Sequence, residues 1–227
     1  MHNMIEMTKE SGYWTPELLS QSLLGIWFAA SHQPWLNLHF VIVELCNRQD
    51  WQVTLRQEIE ANDPQDYGTL EGLPLLDAFI KETIRVKPLD TLAIRRKALE
   101  PYTFASGGGS IHVPQGATVC VPMKDILSNP SRYAQPESFQ PHRHISRGQG
   151  RDQHSKFTDV SETFPLWGYG SLACPGRIYA SVVIKLILVE LLKRFSLELR
   201  DPAANTRWYW ETFTLPYETT RVIFRPR

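Results

Sequence analysis

The sequence predicts a mainly helical α+β fold with small β-sheets. Three observations carry this reading: helical periodicity dominates the first third of the chain, short β-prone runs divided by turn residues follow Pro88, and a second strong helical period begins just after Cys174. With 227 residues the chain is long enough for one or two domains and a sizeable core. Hydrophobic residues make up 42% and charged residues 21%, too apolar and too weakly charged for a chain disordered in its main state. Lys plus Arg and Asp plus Glu each total 24, so no bulk field draws the protein to nucleic acid or an anionic membrane, and no nucleic-acid partner is expected.

The first helix is expected over residues 15–48. Thr15 suits the N-cap, Pro16 the first helical position and Glu17 the first turn. Leu18, Leu23, Ile26, Trp27, Phe28, Leu36, Phe40 and Val43 make it apolar on nearly every side, the pattern of a helix in the middle of a large protein. Pro34 removes the bond to the Ala30 carbonyl and predicts an interruption with a kink. A second helix is expected over about 50–60 and a third over 73–86, closed by Pro88. Short strands are expected over 91–98, 102–104, 110–113 and 117–121. Gly107, Gly108 and Gly109 read as a hairpin turn, because a phosphate cradle needs a helix after it and a strand follows instead. After a short helix over 123–127, residues 133–165 form a long polar stretch expected to be an ordered functional loop. The final helix is expected over 175–195, and the tail from Arg207 reads as strands.

Cys46, Cys120 and Cys174 are odd in number and scattered, which does not read as a disulfide framework and implies a reducing compartment. The first 14 residues lack the basic and apolar regions of a secretory signal. The most apolar runs, 18–30 and 178–192, fall short of the ~20 apolar residues of a membrane span, so no transmembrane anchor is expected in this chain.

Chemistry concentrates in residues 164–177, around Trp167, Gly168, Gly170, Leu172, Cys174, Pro175, Gly176 and Arg177. With Pro175 as the first helical residue, Cys174 would sit at a helix N-terminus, where the dipole and free N–H groups favour the thiolate that binds metal. Gly168, Gly170 and Gly176 permit tight turns and close approach to a flat ligand. A buried structural cysteine is the alternative. With 13 glycines in the chain, however, three at given offsets from a cysteine arise by chance on the order of once in 2000.

This segment resembles the haem-binding loop of the cytochrome P450 superfamily, haem-thiolate monooxygenases whose cysteine is the proximal iron ligand. The resemblance implies haem as cofactor, with Cys174 on the metal and Trp167, Gly170, Leu172 and Gly176 around it. It also implies a Glu-x-x-Arg helix upstream, here Glu82 and Arg85, completed by Arg143 after Pro136-Glu137-Ser138-Phe139. By itself the Glu-x-x-Arg spacing is uninformative, since Glu218 and Arg221 repeat it. His142, Arg143 and His144 could suggest zinc, but adjacent residues cannot converge on one ion without further ligands, so a solvated loop is preferred. Arg95 matches the position that pairs with a haem propionate, with Arg96 its rival. The first long helix corresponds to the central oxygen-activating helix, whose paired polar residues fall on His32 and Gln33. There an amide replaces the usual Thr hydroxyl and is a poor proton relay. Leu172 stands where the family usually places a cation for a propionate, and Trp167 stands in place of Phe.

Members of the family are about twice this length, so the expected fold is their C-terminal half, from the central helix to the C-terminus. Such a chain is expected to need the missing half to hold haem stably, because the central helix would otherwise be exposed. The resemblance implies hydroxylation or oxidation of a hydrophobic small molecule, a terpenoid or polyketide of fungal secondary metabolism, using dioxygen and electrons from an NADPH-dependent reductase. For intact members it implies the endoplasmic reticulum membrane. A catalytically inactive remnant and a non-enzymatic partner protein remain open beside the monooxygenase.

Overall fold

A computed structural model describes residues 2–106, 108–145 and 155–227. A short helix α1 (His2–Thr8) precedes the long α2 (Pro16–Asn47), which Thr15 caps by accepting the Leu18 N–H. The expected interruption at Pro34 does not occur, since α2 is one helix on both sides of it. Only a single backbone bond is forfeited there, and the following turns are anchored by buried Leu38, Phe40, Val41, Val43 and Leu45. Burial is uneven along α2. From Pro34 onward it enters the core, whereas Leu24, Ile26, Trp27 and Phe28 remain exposed.

Arg48 ends α2 and begins α3 (Gln49–Asn62). A small helix that the sequence pattern did not announce, α4 (Tyr67–Glu71), is set by a capping box between Asp66 and Thr69. Helix α5 (Pro74–Val86) follows, buried on every side from Leu76 to Arg85. Its free N-terminal N–H groups are met from α3, where the Glu58 carboxylate accepts from Leu75 at 2.6 Å and Leu76 at 2.9 Å.

The β structure of the described residues consists of four antiparallel pairs. Strand β1 (Ala93–Lys97) pairs with β4 (Thr118–Val121), and β2 (Tyr102–Ser106) with β3 (Gly109–Val113). The pairing of Ser106 with Gly109 supports the expected hairpin, although Gly107 lies outside the described residues, as do 146–154 of the long polar stretch. After α6 (Met123–Leu127), single 3-10 turns occupy Pro141–His144, Pro165–Trp167 and Gly170–Leu172.

The final helix α7 (Arg177–Arg194) starts later than Pro175, because the chain first folds back so that Cys174 N–H can bond Trp167. It runs directly into β5 (Phe195–Leu199), which pairs with β8 (Val222–Pro226); β6 (Arg207–Trp210) pairs with β7 (Phe213–Pro216). The fully buried Gln52 serves β5 as a strand would, donating to the Leu197 carbonyl at 2.8 Å and accepting its N–H at 3.0 Å. Leu45, Leu55, Phe79, Ile80, Ile184, Leu188 and Leu197 form the shared core of α2, α3, α5, α7 and β5. No described helix is long and apolar enough to cross a membrane.

Candidate active site

The centre of the charged architecture is Glu82, whose side chain is 0% exposed. Arg85, one helical turn away on α5, meets it with two parallel bonds, Nε to Oε2 at 2.8 Å and Nη2 to Oε1 at 2.9 Å. The Gln140 N–H reaches Oε1 at 2.8 Å, Arg143 Nε reaches it at 3.1 Å, and His144 Nε2 lies 2.9 Å from Oε2. Burial alone would raise the Glu82 pKa, but the bonds from His144, Arg85 and the Gln140 N–H outweigh it and bring the carboxyl down to about 2. Burial pushes the His144 pKa below its ordinary value despite Glu82, so a neutral ring donates the Nε2–H.

The two arginines turn this carboxylate into a clamp on the loop after α6. Arg85 donates to the carbonyls of Leu127 at 2.8 Å and Pro136 at 2.7 Å, and Arg143 to that of Ala134 at 2.9 Å. Both guanidinium groups face the Tyr133 ring. The sequence-expected set Glu82, Arg85 and Arg143 is therefore brought together. His144 was missed, having been read as part of a solvated loop. Its neighbour His142 turns the other way, against the Trp51 ring at 5.1 Å.

The cysteine loop lies beyond this clamp. Trp167 packs edge-to-face on Phe157 at 5.0 Å, and its carbonyl accepts the Cys174 N–H at 2.6 Å. Between these residues Gly168 has φ 79 and ψ −161, a region open essentially to glycine alone. A Cβ there would also lie 3.1 Å from the Leu172 carbonyl oxygen. Gly170 has φ 61, and Arg177 Nη1 donates to the Cys174 carbonyl at 3.0 Å. Gly176 is the N-cap of α7, with Cys174 two residues before it; a Cβ on Gly176 would lie 3.9 Å from Sγ.

Cys174 lines an open cleft of about 500 Å³ together with Ile94, Arg96, Val121, Leu166, Trp167, Gly168, Tyr169 and Leu172. One wall is the loop and the other is the β1–β4 pair. A bulge between Ala93 and Arg96, with Ile94 at φ 52, shapes that second wall. Ile94 and Arg96 line the cleft, while Arg95 is held elsewhere, with Nη1 2.6 Å from Asp90 Oδ2 and Nη2 2.5 Å from Thr212 Oγ1. His32 and Gln33 sit on the exposed part of α2, the His32 ring stacked on Phe28 at 4.7 Å, and neither lines this cleft.

The sequence model of the family described as Cytochrome P450 matches residues 1–224. The chain belongs to the cytochrome P450 family. Among curated P450 relatives, the monooxygenase paxQ of Penicillium paxilli is 28% identical over 225 residues, covering 96% of this chain and 43% of its own. The monooxygenase ausG of Penicillium brasilianum is 32% identical over 194 residues, covering 82% of this chain and 35% of its own. A zebrafish cytochrome P450 solved with abiraterone superposes with a TM-score of 0.67 at 26% identity, over 85% of this chain and 44% of that one. The chain thus spans less than half the length of these relatives and forms a partial P450 domain.

The P450 family implies a haem held by a cysteine thiolate, and the residues of the cleft fit that group. Among the described residues the lining is one thiol, apolar walls from Ile94, Val121, Leu166 and Leu172, and a single guanidinium, which matches a flat apolar macrocycle bearing carboxylates. Glycine at position 168 keeps the loop free of a side chain where the backbone folds most tightly.

Proposed function

We propose that this protein is a haem-thiolate monooxygenase that oxidises a hydrophobic small molecule, a terpenoid or polyketide of fungal secondary metabolism. The observation that carries this reading is the placement of Cys174 on an apolar cleft whose loop is folded by Gly168. When bound, haem would supply the redox centre that activates dioxygen, and a thiolate ligand would donate electron density to it.

The chain's own residues divide the remaining work. Cys174 Sγ would hold the haem iron, and the Trp167 carbonyl accepts its peptide N–H. Leu166, Trp167 and Leu172 provide apolar lining beside the thiol. Of the paired arginines, the lining position of Arg96 supports it as the propionate partner, whereas Arg95 is committed to Asp90. Glu82, Arg85 and Arg143 hold the loop after α6, whose Tyr133 hydroxyl donates to the Thr163 carbonyl ahead of the cysteine loop. His32 and Gln33 belong to the distal oxygen side by resemblance, with substrate, dioxygen and an NADPH-dependent reductase as partners. The endoplasmic reticulum membrane is the corresponding location.

Reconstitution with haem tests the reading. The reduced carbon monoxide complex of the intact protein is expected to show the red-shifted Soret band of thiolate ligation, and Cys174→Ala is expected to abolish it. Haem bound without that band, or a band that survives the substitution, refutes the proposal. A second reading, a catalytically inactive P450, is favoured by Gln33, whose amide relays protons poorly. A gain in coupled product formation by Gln33→Thr would support the monooxygenase; no gain would support the inactive form.

A further inference from the structure

Trp167 is bonded at both ends. Its carbonyl accepts the Cys174 N–H at 2.6 Å, and its indole Nε1–H donates to the Phe157 carbonyl at 2.7 Å. One residue thereby joins the metal-ligating cysteine to a fully buried phenylalanine. The bonds continue inward. The Phe157 N–H approaches Asp77 Oδ1 at 3.4 Å, and the same oxygen lies 2.9 Å from Lys185 Nζ. Asp77 is on α5 and Lys185 on α7, and both side chains are at most 1% exposed. Lys185 also bonds Glu71 at 2.8 Å, while Lys81 holds the start of this segment through Ser155 Oγ at 2.5 Å and the Lys156 carbonyl at 3.1 Å.

An ammonium buried among carboxylates adds little net stability, because desolvation offsets the attraction. Its geometry is nevertheless tightly constrained, since each partner must be matched. The Trp167 indole has the same character: a phenyl ring would also pack on Phe157, but only the indole brings an N–H donor. We propose that Trp167 is a positioning residue that fixes Cys174 relative to α5 and α7 through the Phe157 carbonyl, with the Asp77–Lys185 pair holding Phe157 in place. The proposal rests on the haem-thiolate reading for its consequence, and on the bonds themselves for its geometry.

Trp167→Phe keeps the ring and deletes the donor. In the intact haem-free protein, amide hydrogen exchange at Gly168 and Cys174 is expected to quicken about tenfold, with α5 and α7 unchanged. No change at these amides, or an equal rise throughout the helices, overturns the proposal. Asp77→Asn keeps an acceptor for Phe157 and weakens the pair with Lys185, so a smaller rise confined to residues 155–174 is expected; no rise there removes the ion pair from the positioning set. With haem bound, Trp167→Phe is expected to shift part of the reduced carbon monoxide spectrum from the thiolate band to the shorter-wavelength band at unchanged haem content, and an unaltered spectrum counts against it. If the parent protein lacks the thiolate band, the haem-thiolate reading fails instead, and the exchange result alone decides the positioning role.

Discussion

His144 donates its Nε2–H to Oε2 of Glu82 across 2.9 Å, so a neutral imidazole shares a buried carboxylate with two arginines. Replacing the ring with an apolar one of similar size, His144→Phe, removes a donor and leaves that oxygen with the Arg85 bond. A loss of about 1 to 3 kcal/mol is expected for a buried acceptor deprived of a partner. Urea unfolding near neutral pH measures it; a change under a few tenths of a kcal/mol would refute the importance of the bond.

Acid should weaken the same clamp in two stages. His144 titrates below its ordinary 6.5 in the fold, so the unfolded chain takes the proton first and stability falls as pH drops below about 6.5. Glu82 titrates at about 2 instead of 4.5, so its contribution is complete above 4.5 and is lost as pH falls from there toward 2. The unfolding midpoint followed from pH 7 to 3 should therefore decline throughout, and His144→Phe should flatten both parts, the upper because the titrating ring is gone and the lower because Glu82 loses one of the bonds that hold its pKa down. A variant profile parallel to the parent's would contradict the assignment.

Gly168 and Gly170 differ in what a methyl group meets. At Gly168 both the backbone angles and the 3.1 Å approach to the Leu172 carbonyl oppose a side chain, whereas at Gly170 only the positive φ does. Gly168→Ala should cost about 1 to 3 kcal/mol and release haem faster. Gly170→Ala should cost less, about 1 to 2 kcal/mol. Equal effects on unfolding midpoint and haem loss would show that the close approach is immaterial.

Arg96 and Arg95 separate in the same way. Arg96→Ala is expected to accelerate haem transfer to an acceptor protein several-fold, since Arg96 is the lining cation of the cleft among the described residues. Arg95→Ala should leave that rate nearly unchanged, because its bonds go to Asp90 and Thr212. The opposite order of transfer rates would return the propionate role to Arg95.

Much of this was legible from residue order alone. The Thr15-Pro16-Glu17 start, the helix over Pro74–Val86 and the glycine-flanked Cys174 follow from local rules of capping, periodicity and turn formation, which tertiary contacts did not override. The Glu82, Arg85 and Arg143 set was legible only through the family resemblance, because Glu-x-x-Arg spacing recurs by chance.

Other features depended on contacts remote in sequence. His144 is polar and follows an arginine, which reads as a wet loop; 62 residues separate it from the carboxylate that buries it. Pro34 breaks a local bond, yet α2 continues because the later turns are buried against other helices. Neighbouring Arg95 and Arg96 are chemically equivalent in sequence, and the β1 bulge, with its Ile94 backbone at φ 52, underlies their division between the Asp90 junction and the cleft. Residue order settled which side chains could ligate a metal, turn tightly or cap a helix, because those are properties of single residues and short spacings. Folding set which charges share a buried site and which arginine lines the cleft, because burial and strand register depend on partners far along the chain.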